Sequence, residues 1–336
     1  MQLKTKLNNI YRVSKARLFN KRIPVVVSWA ITYRCNFRCI FCDIPKKPSK
    51  EVSRDEAKLV LDKLCSLGLS MLNFTGGEPC LRLDIGDLIN YAKNKGLFVG
   101  LNSNGMLIPK MIKKLKHLDL ISLSVEGPPS INDRIRGQGS YEILIDAAKQ
   151  AKKNQIPVRF VSTLNKLNLK SIEDIVKLAC SFNTKVAFQV VDSYCLGSQD
   201  KNPVLPERDE LLTALNEIIK LKTNSMYAKT IGNSLSCLKY LLDWPDLPYL
   251  ECASGKIAFR LTPEGKMIPC PRGNFKNHTG KPFSIDILTL SIQKIKEKLH
   301  DLDDFELRCT CTCTNRIETN LIWNINRTAI REMLRF

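Results

Sequence analysis

The sequence has few histidines, no long hydrophobic run and no signal peptide. Its 336 residues include only three histidines, so sites built from several imidazoles and histidine-dependent catalysis are disfavoured. No stretch of about 18 uninterrupted apolar residues occurs, which excludes a transmembrane helix. The first 22 residues contain neither an apolar h-region nor a cleavage site, so a cytoplasmic location is predicted.

Acidic residues are absent from residues 1–42, and the whole chain carries a net charge of +19. Apolar residues recur at helical spacing in this segment, so residues 1–24 are predicted to form a basic amphipathic helix. Such a helix could close the base of the fold, or attach peripherally to the anionic inner surface of a membrane. Nucleic acid is not expected as a partner, because aromatic residues are few and no RNA-binding motif is visible.

From residue 25 onward, buried strands alternate with amphipathic helices. Residues 25–33 form a β-branched and aromatic run typical of a strand buried on both faces. Ser53 and Glu56 fit a capping box at the start of the next helix. Six such units predict an α/β protein with a parallel sheet, either flat or rolled into a partial (β/α)6 barrel. The predicted strands are residues 25–33, 71–77, 98–102, 120–125, 158–163 and 185–191.

The regular alternation weakens after about residue 195. A Pro-rich connection follows, and then a helix is predicted at residues 207–222. Residues 257–270 predict a β-hairpin with its turn at Pro-Glu-Gly, which sets Cys252 and Cys270 near its two ends. We therefore expect a barrel core at 25–200, a helical connection at 201–244 and a small C-terminal cysteine-rich domain at 245–336.

Thirteen cysteines without a secretion signal favour metal or redox chemistry over disulfides. Cys35, Cys39 and Cys42 follow a buried strand at C-x3-C-x2-C spacing, so three thiolates can surround one metal centre. In a cubane iron–sulfur cluster, three protein ligands leave one of four irons open to a small molecule. The same spacing also allows a structural zinc knuckle, as in a zinc-stabilised nucleic-acid-binding protein.

Several motifs resemble those of radical S-adenosylmethionine (SAM) enzymes. Residues 32–42, TYRCNFRCIFC, look like the family's cluster loop, including the aromatic residue before the third cysteine. Residues 76–79, Gly-Gly-Glu-Pro, match its motif for the methionine amino group. Ser124 and Arg136 resemble the pair that holds the methionine carboxylate in the peptide- and sulfatase-modifying branch, which usually has Asp where this chain has Glu126. The cofactor-binding residues expected from the resemblance are Phe41, Gly76, Gly77, Glu78, Pro79, Asn104, Ser124 and Arg136.

The resemblance implies a [4Fe–4S] cluster on Cys35, Cys39 and Cys42, bound together with SAM. An electron donor such as flavodoxin or ferredoxin would reduce it, and SAM would be cleaved to methionine and a 5′-deoxyadenosyl radical. That radical would abstract a hydrogen atom from a substrate carbon. The expected function is a radical SAM oxidoreductase acting on a small-molecule or membrane-associated substrate. A radical SAM maturase of a ribosomal peptide is the alternative.

A second set of cysteines resembles the ligands of SPASM and twitch domains, which hold auxiliary iron–sulfur clusters. Cys252 and the G-x4-C segment that ends at Cys270 look like the opening half of such a domain. The closing ligands would come from Cys309, Cys311 and Cys313, although the family usually spaces them C-x2-C. There are too few cysteines for two clusters, so one auxiliary [4Fe–4S] cluster is expected, with a structural zinc site as the alternative.

The remaining cysteines are scattered. Cys195 follows the sixth strand near the expected active-site mouth, and it could return a hydrogen atom to a substrate radical; loop packing is the alternative. Cys80 lies beside the Gly-Gly-Glu-Pro turn and is expected to pack there. Cys65, Cys180 and Cys237 fall within predicted helices, where a free cysteine behaves as a small core residue.

Overall fold

The computed structural model describes residues 12–48, 50–224, 226–271, 282–302 and 312–334. Within these ranges, nine strands form one sheet in the order β6-β5-β4-β3-β2-β1-β7-β8-β9. The first six strands pair in parallel, as the sequence predicts, and form an α/β partial barrel. They are β1 (Val26–Thr32), β2 (Met71–Gly76), β3 (Phe98–Ser103), β4 (Leu120–Ser124), β5 (Val158–Leu164) and β6 (Lys185–Val190).

Helices connect the parallel strands. The predicted capping box is confirmed at the first of them: Ser53 Oγ accepts from the Glu56 amide, and the Glu56 carboxylate accepts from the Ser53 amide. Gly68 ends the same helix in the left-handed conformation, at φ 108°. The crossover helices are α2 (Arg54–Leu67), α3 (Ile85–Asn94), α4 (Ile108–Leu115), α5 (Pro129–Arg136), α6 (Ser140–Lys153) and α7 (Ile172–Ser181).

The two faces of the sheet differ in character. Alternate residues such as Trp29, Phe74 and Phe160 are fully buried in the hydrophobic core that the helices cover. Since successive side chains of a strand point to opposite faces, the positions between them form the other face, which we call the inner face. It includes small and polar residues such as Ser28 and Asn73, together with partly buried apolar residues such as Met71. The inner face is therefore not part of the apolar core.

The carboxy-terminal region extends the same sheet. Strand β7 (Ala258–Leu261) pairs in parallel with β1. It also pairs antiparallel with β8 (Lys266–Ile268), which confirms the predicted hairpin. Residues beyond 245 thus share the sheet of the barrel core, although the domain boundaries themselves stay a prediction. The remaining elements are β9 (Ile285–Asp286), α8 (Arg208–Asn224), α9 (Leu235–Leu241), α10 (Ile292–His300), α11 (Thr314–Trp323) and α12 (Arg327–Leu334).

The described part of the amino-terminal segment is helical at residues 12–18, here α1, and packs beside the start of β1. Arg12 Nη1 donates to the carbonyls of Gly68 and Leu69, at 2.7 and 2.9 Å, where α2 ends. Arg17 Nη1 donates to the Trp323 carbonyl at 2.6 Å. These contacts favour the prediction that the segment closes the base of the fold, at the end of the sheet opposite Cys35.

Leu18 and Phe19, at the end of α1, remain 79% and 66% exposed. The Lys21 ammonium lies 5.9 Å from the centre of the Phe19 ring. Across the described ranges, no helix is both long enough and apolar enough to cross a membrane. A peripheral contact through this exposed pair stays a prediction.

Candidate cluster and cofactor site

The three clustered cysteines lie on the loop that follows β1, residues 33–43, which we call the cluster loop. Backbone hydrogen bonds hold it from three sides. The Glu78 amide donates to the Arg34 carbonyl at 2.8 Å, after β2. The Ile40 amide donates to the carbonyl of Ile135, near the end of α5, at 3.1 Å. Cys42 forms a parallel bridge with Leu196, after β6. The loop is thus fixed by segments that follow three other strands.

The Gly76-Gly77 pair is required by the close approach of this loop. The Gly77 amide donates to the Thr32 carbonyl at 2.9 Å. A Cβ atom at Gly76 would lie 2.0 Å from the Thr32 carbonyl oxygen, and one at Gly77 would lie 2.1 Å from that of Arg34. Gly76 also has a φ of 129°, which favours glycine. Both glycines therefore let β2 and the cluster loop pack backbone to backbone.

Glu78 joins the ends of β2 and β3. Its fully buried carboxylate accepts from the amides of Cys80 and Asn104, at 3.0 and 2.8 Å, and from Ser103 Oγ. Burial raises the pKa of Glu78, while these donors favour the ionised form. Pro79 is buried in the turn that follows. The structure thus gives Glu78 a bracing role, and its contact with the SAM amino group stays a prediction.

The three thiols are partly buried and meet N–H donors. Cys35 Sγ accepts from the Phe37 amide at 3.5 Å and from Asn104 Nδ2 at 3.9 Å. Arg136 Nη1 lies 3.7 Å from Cys39 Sγ. Burial raises the pKa of all three thiols, that of Cys42 to about 11. Thiolates here would need compensating positive charge, which metal ions supply, so the residues fit a three-thiolate cluster site.

Among the described residues, no three His, Cys, Asp or Glu side chains are arranged to hold a single metal ion. In a cubane each thiolate binds a separate iron, so the three thiols do not need to converge on a single ion. The electrostatic influence that the thiols exert on one another shows that the three share one environment.

Arg136 is paired inside the protein. Its Nε and Nη2 both donate to Glu126 Oε1, at 3.0 and 2.6 Å, and its side chain is 10% exposed. The guanidinium carbon lies 5.8 Å from the centre of the Phe41 ring, within the range of a cation–π contact. Nη1, directed at Cys39, is the part of the group that faces the cluster loop. Arg136 therefore bridges Glu126 and the cysteines.

Glu126 has a structural role that the sequence pattern left in doubt. Its second oxygen, Oε2, accepts from the Thr163 amide at 2.8 Å and from Asn168 Nδ2 at 3.4 Å. The residue is fully buried, and burial raises its pKa, although Arg136 opposes this. Glu126 thus connects the ends of β4 and β5 to Arg136. The signals in the sequence were its position directly after a predicted strand and the Asp that the resembling family usually has there.

Two other predicted cofactor residues also lie at strand ends. Asn104 follows β3, where its Nδ2 donates to Asn36 Oδ1 at 2.8 Å as well as to Cys35. Ser124 ends β4 and is half-buried. The structure thus brings the predicted cofactor residues together around the cluster loop, as strand-end geometry requires. Their contacts with SAM stay predictions.

An ion-pair network that the sequence did not reveal holds the start of the cluster loop. Glu51 accepts two hydrogen bonds from Arg34, Nε at 2.8 Å and Nη2 at 3.0 Å, and one from Thr32 Oγ1 at 2.5 Å. Arg82, which is buried, lies 3.7 Å from the same carboxylate and is paired with Asp84. Spacing could not show this, because Glu51 lies in a connecting segment with no recognisable motif.

The scattered cysteines differ in their surroundings. Cys195 is buried in the loop after β6, next to the residue that bridges Cys42, and its role as a hydrogen donor stays a prediction. Cys80 and Cys237 are buried, as expected, and Cys65 is partly buried. The prediction for Cys180 is wrong: this cysteine is exposed, because it lies on the outer side of α7.

Two of the cysteines predicted to hold an auxiliary cluster lie beside the hairpin and at the start of α11. Cys270 follows β8, and Cys313 is the N-cap residue of α11. Arg260 on β7 interacts electrostatically with both of these cysteines, which indicates that they face the same side chain. Asn320 Oδ1, on α11, accepts from the amide of Ala253, beside Cys252, at 2.9 Å. Cys309 and Cys311 lie outside the described residues, so the ligand set stays a prediction.

Comparisons with known proteins agree with this geometry. The chain matches the Radical SAM superfamily over residues 29–179. It is 35% identical to Fe-coproporphyrin III synthase of Methanosarcina barkeri over 167 residues, 48% of this chain and 42% of that protein. It is 25% identical to PqqA peptide cyclase of Bradyrhizobium diazoefficiens over 259 residues, 74% of this chain and 67% of that protein. The chain therefore spans less than half the length of the synthase.

A solved structure shows the same fold. Native anSMEcpe with bound AdoMet superposes with a TM-score of 0.65 at 14% identity, covering 93% of this chain and 99% of that one. The zinc-stabilised nucleic-acid-binding alternative is not retained. The family match and the three-cysteine loop at the mouth of the sheet identify residues 29–179, just under half of the chain, as a radical SAM domain, the domain of iron–sulfur enzymes that use a [4Fe–4S] cluster with SAM.

Proposed function

We propose that the chain is a radical SAM oxidoreductase that abstracts a hydrogen atom from a small-molecule substrate. The observation that supports this most is the cluster loop, whose three partly buried thiols are held by segments following β2, β4 and β6. Cys35, Cys39 and Cys42 would hold the [4Fe–4S] cluster. When bound, the cluster supplies one electron for cleavage of SAM to methionine and a 5′-deoxyadenosyl radical.

The chain's own residues bind and orient the cofactor. Glu78 and Arg136 fix the loops on either side of the cluster loop, so that the cysteines are preorganised. Ser124 and the Nη1 atom of Arg136 would meet the methionine carboxylate, and the strand end at Gly76-Gly77 would meet its amino group. Asn104 would hold both Cys35 and the adjacent loop in place. Most of these side chains would therefore position the cysteines and the cofactor.

Further parts of the proposal concern the partners. Flavodoxin or ferredoxin would supply the electron. Cys252 and Cys270, with ligands from among Cys309, Cys311 and Cys313, would hold one auxiliary [4Fe–4S] cluster. Leu18 and Phe19, exposed beside Lys21, are the side chains that would meet an anionic membrane surface.

A peptide maturase is the second candidate. It is supported by the similarity to PqqA peptide cyclase, which continues beyond the barrel and includes 74% of this chain. Neighbouring genes separate the two candidates: a gene for a short precursor peptide beside this one would favour the maturase, and genes of small-molecule biosynthesis would favour our first proposal.

The proposed function is tested by electron paramagnetic resonance of the reduced, anaerobically reconstituted protein. Addition of SAM should change the cluster signal, because SAM would bind the iron that lacks a protein ligand. A variant with Cys252 and Cys270 both changed to Ala isolates the first cluster and should show the same change. A reduced cluster whose signal is identical with and without SAM would overturn the proposal.

A further inference from the structure

The strands of the barrel carry positive but no negative charge. No Asp or Glu occurs in any of the seven strands β1–β7, whereas Arg159, Lys185 and Arg260 all lie on the inner face. The assignment of Arg159 to this face follows from its neighbour Phe160, which is fully buried in the core on the other side. The inner face of the partial barrel therefore carries cations, hydroxyls and amides among its apolar residues, and no carboxylate from the strands themselves.

Four of these polar residues form one row across adjacent strands. Ser122 is in register with Asn102 on one side and with Arg159 on the other. Arg159 is in turn in register with Lys185. With neighbouring strands about 4.8 Å apart, the row extends roughly 14 Å along the inner face. Its first member lies two residues before Asn104, so the row begins beside the cofactor site.

Arg159 has no acidic partner in the part of the chain that the structure describes. Its Nε donates to Ser122 Oγ at 2.8 Å, and burial is the sole cause that lowers its pKa. The residue is only partly buried, and a guanidinium that is partly removed from water without a counter-ion is less favourable than one in solvent. The two Nη groups of Arg159 thus remain to donate hydrogen bonds to an anion.

The neighbouring residues give the same indication. Burial and the nearby Lys222 lower the pKa of Lys185, the next residue of the row, so a second cation adds to the positive charge beside Arg159. The buried Oδ1 of Asn102 lacks a hydrogen-bond donor within the described ranges, so this atom would accept from a donor group of the ligand, such as a hydroxyl, and not meet an oxyanion. Buried polar atoms are rarely left unsatisfied, so a ligand that interacts with this row is expected.

We propose that the inner face binds an oxyanion of the substrate, a carboxylate or a phosphate, with Arg159 as its main contact and the Ser122 hydroxyl beside it, while Asn102 Oδ1 would accept from a donor elsewhere on the substrate. The inference rests on the proposed function, because it places the substrate in the barrel next to the SAM site. A planar guanidinium binds both oxyanions through parallel hydrogen bonds. The anionic end of the substrate would lie deep in the barrel, and its reactive carbon would lie nearer the cluster loop.

Isothermal titration of the reconstituted full-length protein with succinate and with inorganic phosphate, at constant ionic strength, tests this proposal. We expect saturable binding, weakened about tenfold or more in Arg159→Gln, since one charge-assisted contact is lost. Arg54→Gln, which removes an exposed arginine from α2, should bind like the wild type. Tighter binding of succinate would identify a carboxylate site, and tighter binding of phosphate a phosphate site.

A second variant covers the case in which Arg159→Gln does not fold. Ser122→Asp provides an internal carboxylate for Arg159 and should also weaken binding of both probes about tenfold. The proposal is overturned if the wild type binds neither probe saturably, or if both variants bind as the wild type does. It is also overturned if the variants lose affinity for SAM instead of for the probes. Failure of the proposed function would be recognised by a different result, the absence of SAM cleavage by the wild type.

Discussion

The cluster loop and the carboxy-terminal cysteine region are both predicted to hold an iron–sulfur cluster, but they are built in different ways. The cluster loop carries three cysteines within eight residues, and backbone hydrogen bonds to segments that follow three other strands hold it. In the second region, Cys270 follows a strand of the hairpin and Cys313 precedes a helix, and the side-chain amide of Asn320 connects that helix to the segment beside Cys252. The comparison indicates that the first site is built by local sequence and a shared strand edge, whereas the second depends on long-range contacts.

The largest effect is expected on the iron content when one or the other set of cysteines is replaced. If each set holds a cubane, the reconstituted protein should contain about eight irons per chain, four per cluster. Changing Cys35, Cys39 and Cys42 together to Ala should remove about half of this iron, because their cluster then lacks all its protein ligands. Iron analysis and the visible spectrum measure this.

The matched control is the variant with Cys252 and Cys270 changed to Ala. It should lose the other half of the iron and keep the signal of the first cluster. If this variant retains all its iron, the auxiliary cluster does not exist as proposed. If either variant loses all the iron, the two regions are not independent.

The second prediction concerns the buried pair that links β4 to the cluster loop. Arg136→Ala should destabilise the protein by about 3–5 kcal/mol, because Glu126 is left buried without its counter-ion. It should also weaken SAM binding by roughly one to two powers of ten, if Nη1 contacts the methionine carboxylate. Chemical denaturation and SAM titration measure the two effects separately.

The double variant Glu126→Gln with Arg136→Ala distinguishes pairing from cofactor binding. Removing the buried carboxylate should restore most of the stability, while SAM affinity stays low. Recovery of SAM affinity along with stability would show that Arg136 acts only by holding the fold.

A smaller effect is expected at the long-range contact of the second region. Asn320→Ala leaves the Ala253 amide without its acceptor, which should cost about 1–3 kcal/mol. We expect partial loss of the auxiliary iron and an unchanged first cluster. Asn315→Ala, on the same helix but with an exposed side chain, is the control. Equal iron in Asn320→Ala and wild type would show that this contact does not organise the second region.

The smallest predicted effect lies at the opposite end of the sheet. Arg12→Ala removes the donor to the carbonyls of Gly68 and Leu69, and should destabilise the protein by about 1–2 kcal/mol without altering either cluster. Lys21→Ala leaves the hydrogen bonds from Arg12 to those carbonyls intact and should have little effect on stability. Equal stability of the two variants would remove the support for closure of the base by α1, and binding to anionic vesicles would then become the main prediction for this segment.

Much of the fold and of the candidate site could be predicted from the sequence, because the signals are local. Strand and helix periodicities gave the parallel sheet, and motifs placed directly after strands gave the cluster loop and its neighbours. The role of Glu126 could not be predicted, because its partners Thr163 and Asn168 are distant in sequence and meet it only at the shared strand edge. The prediction that Cys180 is a core residue was wrong for a related reason. Helical periodicity alone did not decide which side of α7 this cysteine occupies.

The most direct test of the central claim is the release of 5′-deoxyadenosine. The anaerobically reconstituted, chemically reduced protein, given SAM without substrate, should slowly form 5′-deoxyadenosine and methionine in equal amounts. The variant lacking Cys35, Cys39 and Cys42 should form neither. Wild-type protein that holds a full complement of iron and yet releases no 5′-deoxyadenosine under strong reductant would contradict the account.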